Sequence, residues 1–313
     1  VIETGRAVDR VAGAVASMFG AGLFVGLAPA ASLAGWWLVA GLMLAATIAV
    51  LFALSTPEDV PGGIPAALGI LGRLAASVAI AGTFGAYVLP DRPAVAAVGI
   101  VVVVSAVVLL VPSLPPPVTR LAAVVVLGVL AVVAIACFTI APAEVAVAPP
   151  SNAAGGNDGL GLLPAAALLY VCFVGPARQS GRDRLAAVGI VLVWCLAIAF
   201  GALRQLGGER LALSAAPLRD VLAAADAASV GGLLTVGVTV ACAFALRGTL
   251  GDVRDLAPAL RAARSPVVAV GLGAGLVALG ALLLNPLHAL VGAAILLLGE
   301  AGFRVLAGLW RRA

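Results

Sequence analysis

The run from Val11 to Ala31, VAGAVASMFGAGLFVGLAPAA, holds twenty-one residues without a charge, and its only hydroxyl belongs to Ser17. A helix needs about 20 apolar residues to cross the hydrocarbon of a bilayer, where its backbone can bond only to itself. This run meets that length, and nine more follow it: Gly35 to Leu54, Ala66 to Leu89, Ala94 to Val111, Val118 to Ile140, Leu160 to Ala177, Leu185 to Leu203, Val230 to Ala245, Val267 to Leu284 and Leu287 to Leu309. The 313 residues are 63% hydrophobic and 10% charged, with a mean hydropathy of +1.21, which excludes one core wrapped in a polar surface. The pattern predicts an all-α integral membrane protein of ten transmembrane helices.

The breaks between runs carry turn chemistry: Pro57 to Gly63, Pro90 to Pro93, Ser113 to Pro117 and Asn285-Pro286. The chain opens on Val1 and a short segment of mixed charge. The first run is long enough to stay as a spanning helix, so no cleaved leader is expected.

All 18 basic residues are arginine. With ten spans and a cytoplasmic N-terminus, fourteen fall inside: Arg6, Arg10, Arg73, Arg120, Arg178, Arg182, Arg184, Arg247, Arg254, Arg261, Arg264, Arg304, Arg311 and Arg312. The other four, Arg92, Arg204, Arg210 and Arg219, fall outside. That bias is the positive-inside signature and predicts a multi-pass protein of the cell membrane with both termini cytoplasmic. Membrane topology accounts for the net charge of +4, so no nucleic-acid partner is expected.

The polar linker at 142–159 divides the ten spans into five and five, residues 1–141 and 160–313. An odd number per half makes the second half enter from the opposite side, as an inverted repeat does. The four cysteines, Cys137, Cys172, Cys195 and Cys242, lack metal-ligand spacing and read as buried free thiols. No metal or cofactor is expected. Enzyme signatures are absent, and Gly271-Leu272-Gly273-Ala274-Gly275 has neither the strand nor the acidic partner of a dinucleotide site. No ring of polar residues suggests a channel.

Ser17-Met18-Phe19-Gly20-Ala21-Gly22-Leu23-Phe24, followed by Gly26, Pro29 and Ala30, resembles the first helix of the amino acid-polyamine-organocation permeases, with its GxG run, apolar residue and Phe. The order of later motifs is similar to that family too: Leu54-Ser55, Pro61-Gly62-Gly63 and Leu68-Gly69 after the second helix, then Tyr170-Val171-Cys172-Phe173-Val174-Gly175 in the sixth. Arg247-Gly248-Thr249 to Arg264-Ser265-Pro266 stands where the family has a basic cytoplasmic loop. The resemblance implies the five-plus-five inverted-repeat fold and a secondary permease for amino acids or related amines. Access would alternate around a site between broken helices one and six. Many family members carry two further helices, and the acidic residue they often have after the sixth helix is replaced here by the Arg178 to Arg184 region.

Two readings of Gly20 and Gly22 fit the sequence. A helix break there would aim free N–H groups, from Ala21 onward, at a substrate carboxylate, with carbonyls of Ser17, Met18 and Phe19 receiving the ammonium. Close packing is the other, since Gly22-xxx-Gly26 and Gly271-xxx-Gly275 are small-xxx-small patterns. Tyr170 and Phe173 share a helical face, as a substrate lid or as packing, while Gly175 frees the backbone. Thr235 and Thr239 either ligate sodium or bond their own helix. Glu300 and Arg304 are spaced as a helical ion pair, and His288 reads as an incidental surface residue. The interior then holds almost no ionisable residues at mid-depth. That scarcity favours an alternative function, a non-transporting scaffold or degenerate permease that binds a partner protein through its helices.

Overall fold

The computed structural model describes residues 2–55, 63–111, 114–140, 161–176, 179–260 and 265–310. The linker at 142–159, most of the turn at 57–63, and Arg178, Arg261, Arg264, Arg311 and Arg312 lie outside the described residues. All regular structure among the described residues is helical. The helices are α1 (Ile2–Ala34), α2 (Leu38–Ser55), α3 (Ile64–Val88), α4 (Pro93–Leu110), α5 (Pro116–Thr139), α6 (Leu162–Tyr170), α7 (Gly181–Leu213), α8 (Pro217–Ala224), α9 (Gly231–Leu256), α10 (Pro266–Leu283) and α11 (Pro286–Trp310).

Proline sets many of the starts. Pro93, Pro116, Pro217, Pro266 and Pro286 each open a helix, and Pro65 is second in α3. A first-turn residue has no intrahelical acceptor for its N–H, so proline loses nothing there and its fixed φ suits the helix.

Among the described residues seven stretches are long and apolar enough to cross a membrane. The first, Ala7–Leu54, covers 48 residues and takes in most of α1 and α2. It reverses at the 3-10 turn Gly35–Trp37, where Gly35 takes φ +52°, a left-handed conformation that a side chain disfavours. Leu162–Phe173 and Val267–Leu283 are shorter apolar helices.

The contacts fix two ends of the bundle. At one, Arg10 of α1 bonds Asp183 of α7 at 2.6 Å, Arg120 of α5 bonds Asp9 of α1, and Arg247 of α9 donates to Val111 O of α4 at 3.1 Å. At the other, Gln205 of α7 donates to Cys137 O and Ile140 O at 2.8 and 2.9 Å, capping the last carbonyls of α5. There too Leu218 N–H of α8 donates to the Tyr87 hydroxyl of α3 at 3.1 Å, and Tyr87 meets Phe24 edge-on with ring centroids 6.0 Å apart. Leu218, Val221 and Leu222 of α8 are buried in this closure.

Apolar side chains that face away from the bundle form stripes. Leu272, Leu276, Leu279 and Leu283 run along one face of α10, all more than half exposed. A water-soluble helix would carry polar residues there, whereas lipid makes leucine the stable choice.

The first helix departs from expectation. α1 is continuous through Gly20 and Gly22, so the break proposed there is absent. The two glycines instead admit neighbours. A Cβ on Gly20 would lie 2.0 Å from Ala241 O, and one on Gly22 would lie 2.1 Å from Cys172 Sγ. The other pattern fails as a packing motif, because Gly271 and Gly275 face open space and Gly273, between them, approaches Leu74 at 3.2 Å.

Candidate functional site

The sixth apolar run is the interrupted one. α6 ends at Tyr170, a 3-10 turn covers Val171–Phe173, and Val174 is extended at φ −79° and ψ 99°. Leu162–Phe173 is twelve residues, about 18 Å at 1.5 Å per residue, well short of a ~30 Å hydrocarbon layer. Its end lies inside the bundle, with Val171, Cys172, Phe173 and Gly175 all buried. Non-helical backbone at such depth is stable only against protein or a wet cavity.

Both are present. Val174, Gly175 and Pro176 line two small cavities of about 20 and 30 Å³. The first is bounded by Ser17, Arg73, Thr249 and Asp252, the second by Tyr170, Arg184, Glu300 and Arg304. A third, of about 310 Å³, is a vestibule at the end that carries the Arg10–Asp183 pair. It shares Ser17, Pro176, Gly248 and Asp252 with the first cavity, so the two adjoin.

Between the small cavities lies an ion network. Arg73 of α3 donates to Asp252 Oδ2 of α9 at 2.8 Å and to Glu300 Oε2 of α11 at 2.7 Å. Arg304 takes the other Glu300 oxygen. Arg73 and Glu300 are each 4% exposed. Gly69, one turn before Arg73, makes the room: a Cβ there would sit 2.7 Å from the Glu300 carboxylate, and Gly69 O accepts from Arg73 Nη1 at 3.1 Å. Ser77, one turn further on, shares a 2.7 Å hydroxyl bond with Thr249. Three helices are therefore joined through one guanidinium, which leaves few of its donors unmade.

This network corrects the sequence reading. Arg73 had been assigned to a cytoplasmic loop and Glu300 to a helical pair with Arg304 alone. The interior was expected to hold almost no ionisable groups. The signal was available: Arg73 lies within the run Ala66 to Leu89, and a charge inside a span needs an opposite partner. With these charges inside the bundle, a scarcity of ionisable groups no longer favours a scaffold.

The nine predicted binding residues divide. Ser17, Tyr170 and Gly175 line the cavities. Met18 and Phe173 are fully buried, and Met18 Cε would meet a Cβ on Gly175 at 2.7 Å. Phe19 is core, Gly20 and Gly22 are packing contacts, and the Ala21 side chain lies outside the described residues. Tyr170 stands edge-on to Phe52, centroids 5.9 Å apart. Thr235 and Thr239 donate to Gly231 O and Thr235 O at 2.9 and 2.7 Å, the local bonding pattern, and line none of the three cavities. The four cysteines are free and buried. Among the described residues no group of acids, histidines or cysteines could hold a metal.

A bundle of apolar helices with an interrupted segment, a buried ion network and a vestibule defines a multi-pass membrane protein with cavities in its interior. No family profile matches the chain. It is 31% identical over 292 aligned residues to proteins named uncharacterized transporters from Mycobacterium tuberculosis and Mycobacterium bovis. The alignment covers 79% of this chain and 65% of theirs, so the chain spans about 65% of the length of these curated relatives.

Proposed function

We propose that this chain is a secondary active transporter, or the membrane core of one, for amino acids or related amines, set in the cell membrane with both termini cytoplasmic. The ten-span count takes the first apolar stretch as two helices and includes both short ones. It makes 1–141 and 160–313 the two five-helix repeats. One observation carries the reading: the sixth segment is interrupted where its free backbone lines cavities that adjoin a vestibule. Such a site can bind a small polar solute without holding a bare charge in lipid, and among the described residues α8 covers the end opposite the vestibule. Substrate enters beside Ser17. The body of the solute sits in the vestibule, where Asp252 receives the ammonium and Pro176, at the end of the unwound backbone, completes the shell. The resemblance of the Ser17 to Phe24 and Tyr170 to Gly175 motifs to the permeases supports the substrate class, and the name of the mycobacterial relatives supports transport. A break in α1 has no part in this mechanism.

Reconstitution into proteoliposomes with a panel of radiolabelled amino acids and amines tests it. Uptake of at least one panel member is expected, reduced tenfold or more by Ser17→Leu, which fills the first cavity. Well-folded protein with zero flux for every solute would overturn transport and favour the scaffold.

A further inference from the structure

The second cavity has an imbalance of charge. Arg73, Arg184 and Arg304 border it, and Glu300 is the only acid among the described residues that line it. Arg73 is satisfied by Asp252 and Glu300, and both Glu300 oxygens are taken, one by Arg73 and one by Arg304. Counting Asp252, three guanidinium groups meet two carboxylates. Arg184 is the one left over. Its Nε is buried with no partner, as is Nε of Arg304, and no ion pair to the Arg184 side chain occurs among the described residues. Arg184 as a whole is half-buried, and the buried part of its guanidinium has no counter-charge among the described residues, which is costly because guanidinium does not shed its proton.

Geometry narrows what can supply the missing charge. The cavity measures about 30 Å³, enough for a group the size of one or two waters. A whole amino acid does not fit. Arg184 approaches from the start of α7 and Arg304 from α11, while Tyr170 and Phe52 supply an aromatic wall. Flat N–H forks suit a small oxyanion or halide.

We propose that the cavity between Tyr170, Arg184 and Arg304 is a binding site for one small anionic group, with Arg184 as its principal donor. Two sources carry that chemistry: a free inorganic anion such as chloride, or the carboxylate of a solute whose remainder lies in the adjoining cavity beyond Gly175. Binding is measured on detergent-solubilised protein, so the site stands or falls separately from transport.

Thermal unfolding, followed by a thiol-reactive dye on the four buried cysteines, is compared in sodium chloride, sodium formate and sodium gluconate at equal ionic strength. Gluconate is too large for the cavity. Chloride and formate are expected to raise the midpoint saturably over gluconate. Arg184→Gln is expected to raise the half-effect concentration at least tenfold while leaving the midpoint in gluconate unchanged or higher, and Arg182→Gln, an exposed neighbour, to leave the response intact. Equal midpoints in all three salts, or a full response in Arg184→Gln, would overturn the site. Equilibrium binding of labelled chloride to the unaltered protein gives a second reading that needs no variant. Saturable binding near one per chain is expected, and none overturns the proposal. Displacement by glycine but not methylamine assigns the site to a solute carboxylate. Displacement by neither assigns it to an inorganic anion.

Discussion

Replacing Glu300 by glutamine isolates what the ion network contributes to stability. The carboxylate accepts from Arg73 at 2.7 Å and from Arg304, with its side chain 6% exposed, so solvent screens these bonds little. Glutamine keeps the shape and one acceptor but turns an NH2 toward an arginine. Breaking a buried pair by removing one partner costs about 3 to 5 kcal/mol, because the other charge stays behind. Unfolding entropy of about 2.1 cal/mol/K per residue, over 313 residues, amounts to ~0.7 kcal/mol/K. The midpoint of the purified protein in detergent should then fall by ~5 to 8 °C. Asp255→Asn is the control. It breaks a 3.3 Å pair to Arg254 in which both side chains are about a quarter to a third exposed, and such pairs contribute under about 1 kcal/mol. Adding Arg304→Gln to Glu300→Gln removes one stranded cation, so the double variant should lose less than the two single losses together. A fall no larger for Glu300→Gln than for Asp255→Asn, or strictly additive losses, would refute the network as described.

Gly22→Ala puts a methyl 2.1 Å from Cys172 Sγ, so it should destabilise by about 1 to 3 kcal/mol, whereas Gly275→Ala, with open space around it, should be neutral or raise the melting midpoint. All four cysteines should resist maleimide in the folded protein and react together in denaturing detergent, as read by mass spectrometry. Gln205→Leu strips the cap from Cys137 O and Ile140 O and should cost about 1 to 3 kcal/mol in the same melting assay. Reporter fusions should place Asn152 outside and Ala313 in the cytoplasm.

Helix positions were legible because membrane crossing imposes a length and proline marks the starts. The turn at Gly35 came within a few residues of the gap read after Ala31. The first-helix glycines were harder, since a break and a close contact both call for residues without a side chain. Which one holds depends on what comes near, and Ala241 and Cys172 are more than a hundred residues away in sequence. Tyr170 and Gly175 entered through the resemblance of the sixth run to the permeases, and the interruption that sets them beside cavities shows only in the folded backbone. Arg73 was missed because a count of arginines by loop treats each as a surface charge, Asp252 drew no notice, and Glu300 was read only as the partner of Arg304. Their partnership is made only by the packing of α3, α9 and α11.

The two ends of the bundle are held by different forces. Where Asp9, Arg10, Arg120 and Asp183 meet, the fastening is coulombic, and the Arg10 and Arg120 side chains are about half exposed. Mobile ions at 0.15 M damp such attractions over ~8 Å. Where α8 seats on Tyr87, the fastening is one amide-to-phenol bond above buried leucine and valine, which electrolyte scarcely weakens. Raising ionic strength therefore loosens the doorway and spares the lid, a handle by which a salt titration alone can address one face of the protein.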